Sequence, residues 1–138
     1  PEYTGYPWRD HLKIDDIPLL DPFEAGKKLV EISRNYRFAF HSNWMTDYVG
    51  HRGTIEQSVS LLETFDGVIA GVLSEWEDDE GLIIFTSDHG NMEDMSHGKH
   101  TEADVPTLII GDGKETFAEE FSQLVDFVPR METFLYGD

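Results

Sequence analysis

The sequence predicts an α/β layered fold with a mainly parallel sheet, carried here as an incomplete portion of a domain. Three observations lead to that reading. Short apolar runs alternate with segments of helical period, the pattern of helices laid on a parallel sheet. One run, Leu82-Ile83-Ile84-Phe85, follows Gly81 and ends in Ser87-Asp88-His89-Gly90. A buried strand would thus deliver polar groups to its C-terminal end, where open parallel sheets bind ligands. Only three strands are expected, and three are few for a sheet buried on both faces. Part of the domain is therefore expected outside this chain, and a start at Pro1 without a methionine agrees with that.

Residues 1–20 show no clear period, with prolines at Pro1, Pro7 and Pro18, and read as a connecting segment. Residues 21–138 form the domain portion. His11 and Asp15-Asp16 read as solvated residues of the lead-in. Asp21-Pro22-Phe23-Glu24 is a helix start, with Asp as the cap and Pro at the first position. That helix runs to about Asn35, burying Phe23, Leu29, Val30 and Ile32, with Gly26 weakening it slightly. Tyr36 to His41 reads as a strand. Beyond it, Asp47 and His51 stand four apart, so a helix would put both on one face. From Thr54 to about Glu77, Ile55, Val59, Leu62, Phe65, Ile69, Val72, Leu73 and Trp76 step by threes and fours, as in a helix packed on a sheet. The acids 77–80 after it read as a solvated end. After the central strand, residues 91–104 form a polar loop without period, a common setting for function. Val105 to Ile110 reads as a third strand, with Pro106 near its start, where proline is tolerated. Helical stretches follow over roughly 115–123 and 126–136, the second presenting Val125, Phe127, Val128, Met131, Phe134 and Leu135.

The chain has 138 residues, 10 Lys and Arg against 28 Asp and Glu, and a formal net charge of -18. That balance disfavours nucleic acid and anionic membrane as partners. No cysteine is present, so disulfides, thiolate metal sites and cysteine nucleophiles are excluded. No apolar run is long enough to span a bilayer and no signal peptide stands at the start, so the expected setting is the cytoplasm.

Five candidate ligands stand out: Asp47, His51, Asp88, His89 and His100. Each lies just beyond an expected strand or in the polar loop. Asp88 and His89 are neighbours that would point apart on an extended chain, but Gly90 lets the backbone turn so that both can face one ion or two. Imidazole and carboxylate together suit Zn, Mn, Fe or Co better than Ca or Mg. Two such ions about 4 Å apart can clamp a phosphoryl oxygen and activate a nucleophile. Such binding weakens as pH falls through about 6.5, where imidazole takes up a proton.

Thr86-Ser87-Asp88-His89-Gly90-Asn91-Met92-Glu93, followed by His100-Thr101 and Val105-Pro106, resembles the C-terminal metal-binding signature of the alkaline phosphatase superfamily. The branch it is most similar to holds cofactor-independent phosphoglycerate mutase, with phosphopentomutase near by. Asp47-Tyr48-Val49-Gly50-His51-Arg52-Gly53 matches that branch's upstream motif, and Asp126-Phe127-Val128-Pro129 with Leu135-Tyr136-Gly137 resembles its closing helix. The resemblance runs from about residue 36 to the end. It implies a three-layer alkaline-phosphatase-like fold. It also implies two divalent ions, Mn or Zn, with Asp47, His51 and His100 on one and Asp88 and His89 on the second. Asn91 and Thr101 would be supporting residues.

The family completes the second ion with an aspartate after its first strand and a Ser or Thr nucleophile that is transiently phosphorylated. Neither is found here, and Ser42, Ser87 and Thr101 do not match the nucleophile's place. The family's inserted substrate domain is absent too. The resemblance thus implies a phosphomutase-like enzyme acting on a phosphorylated small molecule, with the catalytic nucleophile in a missing N-terminal part of the same protein. A phosphate- or sulfate-ester hydrolase of the same superfamily and a non-catalytic metal-binding module are the competing expectations. The family pattern does not use a histidine at His41, and His97 and Lys99 read as loop residues.

Overall fold

The computed structural model describes residues 3–119 and 121–137. Pro1 and Glu2 of the expected lead-in, Glu120 of the helix expected over 115–123, and Asp138 lie outside the described residues. The chain forms two compact units. One comprises Pro1–Trp76 and Asn91–Thr101, the other Glu77–Gly90 and Glu102–Asp138.

The first unit is helical: α1 (Tyr6–Leu12), α2 (Pro22–Ser33), α3 (Met45–Arg52) and α4 (Ile55–Glu75). α2 starts as its sequence dictates. The Asp21 carboxylate accepts from the Glu24 amide at 3.1 Å, and Pro22 fills the first position. α4 starts at a capping box. The Thr54 amide donates to Gln57 Oε1 at 2.9 Å, and the Gln57 amide donates to Thr54 Oγ1 at 3.3 Å. α2 and α4 pack against each other through Gly26 and Gly71. A Cβ at Gly26 would collide with the Val68 carbonyl oxygen, and one at Gly71 with that of Phe23. The glycine that weakens α2 as an isolated helix is therefore what lets the two backbones approach. Ala25, Val30, Val68 and Val72 are buried around this contact. Arg34 Nη2 donates to the Glu75 carbonyl at 2.6 Å, supplying positive charge to the C-terminal end of α4.

Several expectations are corrected in this unit. Residues 36–41 form no strand among the described residues, and Tyr36, Phe38 and Phe40 are exposed, Phe40 at 77%. A strand exists only when a neighbour accepts its backbone hydrogen bonds, and the described sheet contains only the pair β1 and β2. The face α4 was expected to lay on a sheet is partly open: Ile55, Val59, Leu62 and Leu73 are exposed, while Ser58, Val68, Gly71 and Val72 are buried. A helix packed on one helix buries a narrower stripe than one packed on a sheet. For the same reason Phe23 and Ile32 of α2 are exposed. The aperiodic lead-in carries α1, with Pro7 in its first turn.

The second unit holds β1 (Leu82–Phe85), β2 (Leu108–Gly111), α5 (Lys114–Ala118) and α6 (Phe127–Tyr136). β1 and β2 pair antiparallel, with Leu82 opposite Gly111 and Phe85 opposite Leu108. Among the described residues the sheet is thus this antiparallel pair and not the expected parallel one. A parallel pair needs a crossover, usually a helix; residues 86–107 contain none, and the chain returns in the opposite direction. Phe117 is buried among the rings of Phe121, Phe127 and Phe134, with centroids at 5.9, 6.2 and 6.4 Å. α5 is shorter than the helix expected over 115–123. The Asp126 carboxylate accepts the amides of Ser122 and Gln123 at 3.1 and 2.9 Å, turning the chain toward α6 instead. Those two amides hold the Asp126 carboxyl below the usual carboxylate range.

Candidate metal centre

In the first unit, α3 puts Asp47 and His51 on one face, one turn apart. His51 Nε2 lies 3.2 Å from Asp47 Oδ1. The loop 91–101 brings His100, whose Nε2 is 3.2 Å from Asp47 Oδ1 and 3.0 Å from His51 Nε2. The two imidazole rings are 4.8 Å apart and tilted by 39°. Three potential donor atoms thus form a nearly equilateral triangle.

The separations of the three atoms are close to those between neighbouring ligands of a metal ion. Tetrahedral coordination with bonds of about 2.0–2.1 Å separates neighbouring donors by roughly 3.3 Å. The observed sides are 3.0 to 3.2 Å. The donor set, two imidazole nitrogens and one carboxylate oxygen, suits Zn or Mn. His51 is oriented for the task. Its Nδ1 donates to the Gly98 carbonyl at 2.8 Å, which leaves Nε2 as the lone-pair nitrogen facing the triangle.

A second layer supports these side chains. Asn91 is buried, and its Nδ2 donates to Asp47 Oδ1 at 3.1 Å and to the Asp47 carbonyl at 3.4 Å. Asn91 Oδ1 is buried against Gly50, where a Cβ would collide with it, and meets no donor among the described residues. Glu93 accepts from the Asn91 amide at 2.8 Å and from the Thr101 hydroxyl. The Thr101 hydroxyl, then the backbone amides of Glu93 and Asn91, hold the Glu93 carboxyl below its ordinary value against desolvation and the neighbouring Asp94 charge. An open groove beside the triangle is lined by Trp44, Met45, Asp47, Tyr48, His51 and Arg52, and the Arg52 guanidinium stacks 5.6 Å from the centre of the Tyr48 ring.

The remaining candidates, Asp88 and His89, belong to the second unit. Asp88 Oδ2 comes within 3.5 Å of His89 Nε2. The Asp88 side chain is 86% exposed, and His89 Nδ1 faces the Gly90 carbonyl at 3.3 Å. His41 lies against α2, with Nε2 3.0 Å from Ser33 Oγ, and burial lowers its pKa. His97 turns to Asp94, Nε2 to Oδ2 at 3.6 Å. In the sequence, Glu93 and Arg52 stand only as members of the quoted motifs, with no contact of their own to read. The Gly98 carbonyl is a backbone group that no side-chain pattern announces.

A family model described as the Metalloenzyme superfamily matches residues 20–133, most of the chain. The chain belongs to that superfamily. Its resemblance to the alkaline-phosphatase-like branch is supported by curated relatives named 2,3-bisphosphoglycerate-independent phosphoglycerate mutase. One from Legionella pneumophila strain Paris is 30% identical over 127 residues, covering 86% of this chain and 24% of the relative. One from Methylobacillus flagellatus is 33% identical over 123 residues, covering 83% and 24%. One from Escherichia coli K12 is 36% identical over 92 residues, covering 62% and 18%. The chain therefore spans about a quarter or less of the length of these relatives. No solved structure matches it. Among the described residues, no helix is long and apolar enough to cross a membrane.

Proposed function

We propose that this chain is the C-terminal metal-binding part, over residues 21–138, of a cytoplasmic phosphoryl-transfer enzyme of the phosphoglycerate mutase kind. The observation that carries the reading is the triangle of Asp47 Oδ1, His51 Nε2 and His100 Nε2, with sides of 3.0 to 3.2 Å. In this reading those three residues hold one divalent ion, and Asp88 and His89 contribute to a second, each Mn or Zn. Such ions supply Lewis acidity and lower the pKa of a coordinated hydroxyl or water.

The chain's own residues do the rest. The Gly98 carbonyl keeps the His51 proton on Nδ1, and Asn91 fixes the Asp47 carboxylate by hydrogen bonding. Arg52, at the rim of the groove, offers a fork suited to phosphate oxygens. The net charge of -18 repels a phosphorylated substrate, so bound cations and Arg52 supply the local attraction the chain otherwise lacks. The Ser or Thr that takes the phosphoryl group comes from polypeptide outside this chain, in line with the quarter of the relatives' length that the chain spans.

The test is an assay of the intact protein, with Mn or Zn, for interconversion of phosphoglycerate isomers and in parallel for hydrolysis of phosphate and sulfate monoesters. Isomer interconversion abolished by chelator is expected. Ester hydrolysis without isomerisation would replace the mutase reading by a hydrolase. Activity indifferent to chelator, or robust turnover by the 138-residue chain alone, would contradict the proposal. Elemental analysis of the Asp47→Ala and His51→Ala variants should show less bound metal in each, and unchanged content in both would remove them as ligands.

A further inference from the structure

Glu93 has no assigned role, yet it joins the two ends of the segment that carries His100. Its Oε2 accepts from the Asn91 amide at 2.8 Å, and its Oε1 accepts from the Thr101 hydroxyl. Asn91 opens the segment 91–101 and Thr101 closes it. Between them, the Gly98 carbonyl receives the His51 Nδ1 proton. The residue before Thr101 is His100, whose Nε2 lies 3.2 Å from Asp47 Oδ1. The side chain of Asn91 reaches the same oxygen from the other end at 3.1 Å. Both ends of the segment therefore converge on one carboxylate oxygen of Asp47, and one carboxylate ties those ends together.

We propose that Glu93 is a positioning residue: its carboxylate clasps Asn91 and Thr101, and the clasp sets His100 and Asn91 against Asp47 in the geometry of the donor triangle. This rests on the metal reading above for its consequence, but not for its mechanism. A carboxylate suits the role because it has two acceptor oxygens in a fixed plane, one for each partner. A glutamine keeps the length and shape but offers only one carbonyl oxygen. A valine at 101 keeps the bulk of threonine and removes the hydroxyl. Outer partners of this kind commonly change metal affinity by about 10–100-fold.

The experiment uses the 138-residue chain and four variants: Glu93→Ala, Glu93→Gln, Thr101→Val and Thr101→Ser. Two quantities are read: the Mn dissociation constant by calorimetry, and amide hydrogen exchange over residues 91–101 in the metal-free chain. Glu93→Ala and Thr101→Val are expected to weaken Mn binding by about 10–100-fold and to speed exchange across the segment. Glu93→Gln should fall between Glu93→Ala and the wild type, and Thr101→Ser should restore both quantities. Wild-type affinity and exchange in Glu93→Ala would overturn the clasp while leaving the metal site standing. A wild-type chain that binds no Mn or Zn would instead sink the metal reading, and exchange in the metal-free chain would still decide the clasp. Loss of cooperative unfolding in both Glu93→Ala and Thr101→Val would assign the pair to folding and overturn a positioning role.

Discussion

His51 Nδ1 donates to the Gly98 carbonyl, and that single bond fixes which nitrogen faces Asp47. Chemistry at this scale was partly legible from the sequence. Asp47 and His51 announced themselves by their spacing of four, because α3 turns that spacing into one face. His100 was legible only as a histidine in a polar loop. Its distance to Asp47 depends on the path of residues 91–101, which has no period to read. Glu93 is visible in the sequence only as the last residue of the signature Thr86 to Glu93, and its two partners at opposite ends of a loop are not. Tyr3 is a separate case. Burial near the Phe65 ring, 6.5 Å away, pushes its pKa from 10.0 to about 12. The raised value means the folded state disfavours the phenolate. The stability contribution is complete below pH 10, and it is lost as pH rises from 10 to about 12. Alkaline denaturation should therefore be shallower across that window in Tyr3→Phe than in the wild type. Equal slopes would contradict this.

The helices were the most legible elements because their signals are local. Asp21-Pro22 and Thr54 with Gln57 each satisfy a helix start with side chains a few residues away. What the helices pack against is not local. The stripe of α4 has the spacing of a sheet-facing helix, but Gly26 and Gly71 draw α2 onto it. Strands were less legible for the same reason. β1 and β2 fell within or next to the expected runs, while their direction depends on how residues 86–107 return. The run 36–41 has strand chemistry without a described partner. Thr54→Ala should cost about 1 kcal/mol by urea denaturation, with Thr54→Ser near the wild type. Gly71→Ala should cost more, about 1–3 kcal/mol, because a Cβ there meets backbone rather than a movable side chain. A cost at Gly71 smaller than that at Thr54 would contradict the close helix approach.

At the scale of the whole molecule, motifs carried the reading further than periodicity did. The order Asp47 to His51, Asp88-His89, then His100 pointed to a metalloenzyme superfamily, and the family match over residues 20–133 agrees. Composition adds only that a chain of net charge -18 suits cations and disfavours nucleic acid and anionic membrane as partners. The alternation of apolar runs and helices predicts a layered parallel sheet that is not found among the described residues, because each strand's direction and neighbours depend on polypeptide distant in sequence. The most direct test is anomalous diffraction from crystals of the 138-residue chain grown with saturating Mn. A peak is expected about 2.0–2.3 Å from Asp47 Oδ1, His51 Nε2 and His100 Nε2 together. A well-ordered chain with no peak among those three atoms, or with its metal held elsewhere, would contradict it.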